Sequence, residues 1–101
     1  MISAIRLHQL AALIQAGREA QFYSWPEWQT VRGDGAQLDK RECVLCREQR
    51  RRYRPARIVH HVKHLRERPD LALSILDPET GERQLVSVCK KCHEALHPES
   101  Q

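Results

Sequence analysis

The sequence predicts a small α+β domain with N-terminal helices and a site of four cysteines that binds structural zinc. Three observations lead to this fold class. The first third of the chain has helical periodicity, the second half alternates between strand and turn patterns, and the four cysteines form two Cys-x-x-Cys pairs. A chain of 101 residues with 30% charged residues and a mean hydropathy of −0.65 has little apolar material for a core. A bound metal is therefore an expected source of stability.

The N-terminal segment is predicted to be an amphipathic helix over residues 3–16, followed by Gly17 as a stop. We treat residues 1–21 as this helical segment and residues 22–101 as the main domain. The apolar positions recur at the spacing of one helix face; they are Leu7, Leu10, Ala11 and Ile14.

A second helix is predicted to start near Ser24, which can cap it, with Pro26 in its first turn. The turn-forming sequence 33–35 is expected to end it. Both tryptophans, the single phenylalanine and Tyr23 lie within residues 22–28. Core packing is the favoured interpretation of this aromatic group, with base stacking as the alternative.

The C-terminal half reads as strand, long turn, strand and helix. Residues 40–52 are expected to form a loop or knuckle, and residues 66–75 a short helix or loop. The first strand carries Ile58, Val59 and Val62, the turn covers 77–81, and the second strand covers 84–88. The last helix is expected over 92–97, with Pro98 ending it.

The two cysteine pairs are the strongest single signal in the sequence. Cys43 with Cys46, and Cys89 with Cys92, can each present two thiolates to one ion from a tight turn. Structural zinc is the preferred interpretation. Disulfides are the alternative, but the N-terminus has no secretory feature. A haem-attachment motif (Cys89 to His93) would leave the other pair unexplained, and a redox motif lacks its βαβ context.

Positive charge is concentrated in the middle of the chain. The net charge is +4, yet residues 40–68 hold eleven basic and three acidic residues, which is +8. Such a block favours a polyanion, most often nucleic acid, although a solvated, self-repelling loop would look the same. The candidate nucleic-acid contacts are Arg50, Arg51, Arg52, Arg54, Arg57 and Lys63.

The histidines form a second constellation. Adjacent residues in a strand point to opposite faces, so His60 and His61 are expected to have different roles. His93 and His97 are four residues apart on the last helix and can serve one cation. His64 is expected to be structural or to contact phosphate.

These residues resemble the HNH endonuclease family, a ββα-metal fold, in its zinc-knuckle branch. The segment before the motif is similar to that of small phage-encoded HNH proteins, and the resemblance covers about residues 22–97. The matching motifs are Val59-His60-His61-Val62, Leu85-Val86-Ser87-Val88-Cys89, Cys92-His93, and the earlier Phe22-Tyr23, Trp28, Arg32 and Cys43.

The resemblance implies a role for each matched position. His60, His93 and His97 would hold a catalytic divalent ion, which could be Mg²⁺, Mn²⁺, Ni²⁺ or Zn²⁺. His61 would be the general base that activates water. Gln84 stands where the family has an asparagine that fastens the loop carrying the base.

The predicted function is a metal-dependent DNA endonuclease or nickase that leaves 5′-phosphate and 3′-hydroxyl ends. The alternative is a non-catalytic, zinc-stabilised nucleic-acid-binding module with a degenerate motif. The resemblance also suggests the large subunit of a phage packaging terminase as a partner, docked through the first helix. The longest apolar run, Leu10 to Ile14, is too short to span a membrane. We expect a cytoplasmic protein, in the host cytoplasm if it is phage-encoded.

Overall fold

The computed structural model describes residues 1–96 and confirms the predicted α+β architecture. The described part of the chain has four α-helices, a two-stranded sheet and two short 3₁₀ helices, at Glu19–Ser24 and Pro69–Leu71. The main elements are α1 (Ala4–Gln15), α2 (Pro26–Leu38), α3 (Val44–Arg50), β1 (Ile58–His61), β2 (Leu85–Val88) and α4 (Lys90–Leu96). None of the helices within residues 1–96 combines the length and apolar character that a membrane span requires.

The first helix begins and ends where its sequence predicts. The Ser3 hydroxyl accepts a hydrogen bond from the Arg6 backbone N–H at 3.1 Å and so caps the N-terminus. Gly17 adopts a left-handed φ of +70° just after the helix, a conformation that glycine tolerates best. Leu10 is fully buried, and it packs α1 into the core that contains Phe22 and the two tryptophans.

The predicted start of the second helix was wrong by one residue. Ser24 belongs to the preceding 3₁₀ helix, where its hydroxyl donates to the Gln21 carbonyl at 2.8 Å. Trp25 is the N-cap residue, and Pro26 opens α2 as expected. The hydroxyl is used locally, so the helix begins without a side-chain cap.

The predicted end of the second helix was also wrong, because α2 continues through the glycines to Leu38. A glycine inside a helix costs only about 1 kcal/mol relative to alanine, and tertiary packing can offset this. Gly35 is buried, with Val59 of β1 close beside its Cα. The helix ends at Leu38 with Asp39 as its C-cap, and Lys40 and Arg41 in the turn that follows adopt left-handed φ values of 54° and 56°.

The cysteine segments are more helical than the sequence predicted. The expected loop over 40–52 contains α3, in which Cys46 lies one turn after the N-cap residue Cys43. The last helix begins at Lys90 rather than at residue 92. In each cysteine pair the first cysteine lies just before a helix, and the second lies in the first turn of that helix. This local structure brings the two side chains together.

The sheet divides the molecule into two cores. β1 pairs antiparallel with β2, in a register that places Ile58 opposite Val88 and His61 opposite Leu85. Because successive residues face opposite sides, β1 contributes to both cores. The aromatic core consists of Leu10, Phe22, Trp25, Trp28, Val59, Leu65, Ala72 and Leu85. The cysteine core consists of Cys43, Cys46, Val88, Cys89 and Cys92, with Leu45, Ile58 and Val86 packed against it.

A buried ion pair joins α2 to the loop before β2. The Asp39 carboxylate accepts from both terminal nitrogens of Arg83, at 2.8 and 2.9 Å, and from the Ser87 backbone N–H at 3.0 Å. Burial raises the pKa of Asp39, but the hydrogen bonds from Arg83 and Ser87 outweigh it and leave the pKa below its usual value. This bidentate contact holds the aromatic core against the second strand.

Candidate active site

The four cysteines form one compact, buried cluster. Their sulfur atoms all lie within 4.8 Å of one another, and Cys46 Sγ is 3.6 Å from Cys92 Sγ and 3.9 Å from Cys89 Sγ. A tetrahedral zinc ion with Zn–S bonds of about 2.3 Å separates its sulfurs by about 3.8 Å. The donor set therefore fits zinc in size, number and chemistry.

The pKa values of these thiols also indicate that a bound cation is needed if all four are to be thiolates. Burial and the neighbouring cysteines raise the pKa of Cys92 to about 12, and burial raises the pKa of Cys46 as well. Burial also acts to raise the pKa of Cys89, but hydrogen bonds involving Cys92 and the other thiols bring it down to about 7. Four clustered thiolates are stable together only when a metal compensates their charge.

His60 and His61 point to opposite sides of β1, as their adjacency predicts. The His60 side chain lies on the side of α4, with its ring centroid 5.5 Å from that of His93 and 6.4 Å from that of His64. Two imidazoles bound to one ion through bonds of about 2.0–2.1 Å have centroids roughly 4.5–6 Å apart. The spacing of His60 and His93 thus fits a shared divalent ion. His97, the further predicted ligand, lies outside the described residues, as does Pro98.

His61 is packed into the aromatic core. Its ring stacks on Trp28, with centroids 4.8 Å apart and planes at 23°, and it meets Phe22 at 6.0 Å. Its Nε2 lies 2.9 Å from the Ala72 carbonyl oxygen. A carbonyl only accepts hydrogen bonds, so Nε2 carries the proton and Nδ1 is the basic nitrogen. Burial lowers the pKa of His61, and this effect outweighs the hydrogen bond to the Ala72 carbonyl, which raises the pKa. The neutral form of the ring is therefore favoured.

The core packing predicted for the aromatic group holds for Phe22, Trp25 and Trp28, but not for Tyr23, which is 44% exposed. Phe22 is fully buried and Trp28 nearly so, and their ring centroids are 5.3 Å apart. The sequence analysis missed a second role, because Trp28 and the Ala72 carbonyl also fix the orientation of His61. No sequence pattern signals a backbone carbonyl, and the spacing of Trp28 does not distinguish it from any other core tryptophan.

Gln84 fastens the segment that follows the two histidines. Its side-chain Nε2 donates to the Lys63 carbonyl at 2.8 Å, and its Oε1 accepts from the Lys63 backbone N–H at 3.1 Å. Its own carbonyl accepts from the Val62 N–H at 2.8 Å. Only 1% of Gln84 is exposed, so these bonds form away from water. The amide contacts no histidine in these bonds; it sets the path of the chain leaving β1.

A cleft of about 620 Å³ opens onto the histidines. Tyr23 lines it, and burial together with the Glu19 carboxylate raises the pKa of this phenol, so it remains a hydrogen-bond donor. Glu19 pairs with Arg66 at the rim. Apart from its place in the aromatic group, no sequence pattern marks Tyr23 as a cleft residue. The cleft-lining histidines are His60, His61, His64 and His93.

The predicted basic residues fall into three groups. The consecutive arginines Arg50, Arg51 and Arg52 are exposed at the end of α3. Lys63 donates instead to Asp77, which is buried. Arg54 and Arg57 line a groove of about 430 Å³ beside the cysteine core, together with two lysines that the sequence analysis did not select, Lys90 and Lys91. Both lysines lie between Cys89 and Cys92, and this position in the sequence could have identified them as candidate contacts.

Comparison with known proteins identifies the fold. No family model matches this chain, and no curated protein matches it. The chain is similar to a solved structure described as the crystal structure of deep-sea thermophilic bacteriophage GVE2 HNH endonuclease with manganese ion. The two chains are 23% identical, the match covers 98% of this chain and 94% of that one, and the TM-score is 0.66. The predicted ββα fold of an HNH endonuclease is therefore confirmed.

Proposed function

We propose that this chain is a metal-dependent DNA endonuclease that hydrolyses phosphodiester bonds at the histidine cleft. The observation that carries the proposal is the division of the two adjacent histidines between two environments. Burial favours the neutral form of His61 and the Ala72 carbonyl orients its ring, while His60 faces His93 at a spacing that fits one ion. A base and a cation site at the same cleft are the minimum for hydrolysis of a phosphodiester.

The chemistry of the chain's own residues follows from this geometry. His61 Nδ1 accepts the proton of a water molecule, and the hydrogen bond from Nε2–H to the Ala72 carbonyl stabilises the imidazolium that results. Gln84 holds the segment after the base in place and acts as a positioning residue. His60 and His93, with His97 as a further candidate, would hold a divalent ion, which would supply Lewis-acid stabilisation of the phosphate and leaving oxygens.

The basic groove supports nucleic acid as the substrate class in this proposal. Arg57 precedes β1, which carries His60, and Lys90 and Lys91 lie on α4, which carries His93, so the groove places positive charge on the elements that carry these histidines. The exposed arginines at the end of α3 add to the positive charge of the surface. DNA is the substrate we propose, since the similar solved protein is described as an HNH endonuclease. By the same resemblance we propose 5′-phosphate and 3′-hydroxyl products, a phage origin, action in the host cytoplasm and association with a packaging terminase.

The test is nicking of supercoiled plasmid by wild type, by His61→Ala and by the matched control His8→Ala, which removes an exposed histidine of α1. The catalytic ion is removed by mild chelation, retention of zinc is measured, and Mn²⁺, Mg²⁺, Ni²⁺ or Zn²⁺ is added back. We expect metal-restored nicking by wild type and His8→Ala, and a loss of at least about a hundredfold in His61→Ala.

Two results would contradict this proposal. Equal nicking by wild type and His61→Ala would remove the base from its role. Plasmid binding without nicking, in zinc-loaded protein and with every ion tested, would instead favour the non-catalytic nucleic-acid-binding module.

A further inference from the structure

A small pocket between α2 and the start of β1 is surrounded by three arginines from separate parts of the chain. Arg32 lies on α2, Arg41 in the turn that follows it, and Arg57 just before β1. The pocket has a volume of about 140 Å³. The other described residues that line it include no carboxylate; they are Gly33, Ala36, Ala56, Ile58, Val59 and Ser87. Three cations without a lining acid make a strongly positive concavity.

The backbone holds Arg41 at the pocket wall in a strained conformation. Its φ of 56° and that of Lys40, 54°, are left-handed, a backbone conformation that is unfavourable for residues with a side chain. Two hydrogen bonds fix this turn: the Arg41 N–H donates to the Ala36 carbonyl, and the Arg41 carbonyl accepts from the Ala56 N–H, both at 2.8 Å. The second bond ties the turn directly to the segment that carries Arg57.

Ser87 contributes a polar atom to the pocket. It is fully buried, and within residues 1–96 its hydroxyl has no hydrogen bond of normal geometry, although it lies near enough to Asp39 to help lower the pKa of that carboxyl. The Asp39 carboxylate is thus the nearby acceptor for this hydroxyl, and the charge of the three arginines carries the argument for an anion in the pocket.

The size and charge of the pocket define the ligand class. Its volume equals that of four or five water molecules at roughly 30 Å³ each, which suits a phosphate group and excludes a nucleoside. Guanidinium groups match phosphate oxygens in charge and geometry. We propose that this three-arginine pocket binds a phosphate of the nucleic acid strand that enters the cleft, separate from the phosphate at the histidines.

The spacing along β1 predicts which phosphate this is. Arg57 precedes His60 by three residues, about 10 Å at the rise of a strand. Along B-DNA one strand rises about 3.4 Å along the helix axis per phosphate, and successive phosphates lie farther apart than this through space, so the pocket phosphate lies at most about three positions from the one at the histidines. This step rests on the proposed nuclease function, whereas the binding of a phosphate group by the pocket does not.

The experiment is a phosphate-neutralisation scan of DNA binding, measured without added divalent ion so that the duplex stays intact. Single methylphosphonates are placed at each position of one strand around the bond that is cut. Wild type should lose roughly tenfold in affinity at one position, one to three phosphates from that bond. Arg41→Gln should bind the unmodified duplex about tenfold more weakly and lose the sensitivity at that position.

Matched variants separate the pocket from general charge. Arg52→Gln removes the same charge from an exposed arginine that lines none of the pockets described above. It should keep the position-specific loss. Arg32→Gln provides a second pocket variant in a regular helix, should Arg41→Gln fail to fold in thermal denaturation. Titration with inorganic phosphate, followed through the arginine Nε–H signals by NMR, tests a free phosphate as the alternative source.

The outcomes distinguish the pocket from the nuclease. If DNA is bound and nicked, but the scan is flat and Arg41→Gln matches Arg52→Gln, the pocket proposal is overturned and the nuclease stands. A flat scan together with saturation of the Arg41 signals by millimolar inorganic phosphate would assign the pocket to free phosphate and overturn the strand contact. If DNA is neither bound nor nicked, the proposed function fails, and with it the strand contact.

Discussion

The two cores of this molecule achieve stability in different ways, and β1 lies between them. The aromatic core buries Phe22 and Trp28 among aliphatic side chains, so removal from water stabilises it. The cysteine core is small and consists mainly of thiols, which have little reason to assemble without a cation. His61 faces the first core and His60 the second. The two halves of the candidate site therefore depend on different physical forces, and each can be disturbed separately.

The largest expected effect comes from removing zinc from the cysteine core. Cys46→Ser replaces a thiolate ligand, and structural zinc in small domains contributes about 10–16 kcal/mol of binding free energy. We expect loss of bound zinc and of hydrogen-exchange protection in β1, β2 and α4. Protection in α1 and α2 should fall less, because the aromatic core contributes most of their packing.

Zinc content by metal analysis and residue-resolved hydrogen exchange test this expectation. Cys46→Asp is the informative companion, since a carboxylate also binds zinc and should recover part of the protection. Equal loss of protection in all four helices would mean that the two cores unfold as one cooperative unit.

The aromatic core should respond to truncation without losing its metal. Phe22→Ala removes a fully buried ring that packs on Trp25 and Trp28, each at 5.3 Å, and such changes cost about 3–5 kcal/mol. Urea unfolding of the zinc-loaded protein measures the effect. The control is Tyr53→Ala, an exposed ring at 68%, with an expected change within about 0.5 kcal/mol. Zinc lost from folded Phe22→Ala would argue against the independence of the two cores.

The ion pair that joins α2 to β2 is expected to have an intermediate effect. Asp39→Asn removes a charge that accepts three hydrogen bonds, for a loss of about 2 kcal/mol in the free energy of unfolding. Because the pKa of Asp39 is lowered on folding, its contribution is complete above the ordinary value near 3.9 and is lost only as the pH falls below it. The difference between wild type and Asp39→Asn should therefore stay constant from pH 6 to 8 in urea unfolding. A difference that shrinks towards pH 6 would contradict the lowered pKa.

The sequence was most informative where side-chain chemistry repeats at fixed spacing. The cysteine pairs, the strand positions of His60 and His61, and the burial of Leu10 follow from spacing alone, and the structure has them in these places, whereas Ala11 of the predicted helix face is exposed. The exposed run of arginines was equally visible as a charge block.

Predictions failed where distant packing decides local structure. The glycines of α2 predict a turn, yet the helix continues through them, and Gly35 is buried beside Val59, a residue far away in sequence. The Ala72 carbonyl that orients His61 belongs to the backbone, so no residue type reports it. The arginine pocket joins Arg32, Arg41 and Arg57, and only the fold brings these three together.

The smallest effect is expected from Gln84, which lies near the cleft between the two cores. Gln84→Ala removes two hydrogen bonds to the Lys63 backbone, and Gln84 belongs neither to the two cores nor to the proposed metal ligands. Partners that orient a metal or catalytic group typically contribute about 10–100-fold to activity. We expect a fall of roughly tenfold in the nicking rate at saturating DNA, with little change in DNA affinity or zinc content.

Gln84→Asn distinguishes positioning from simple stability in this experiment. Asparagine keeps the amide but is one methylene shorter, so it reaches the Lys63 backbone only if the segment moves towards β2. Partial recovery of the nicking rate, without a matching recovery of the thermal midpoint, would assign Gln84 a positioning role. If the rates of both variants simply follow their stabilities, the amide acts on the fold alone, and the geometry of His60 and His61 is set by the two cores without it.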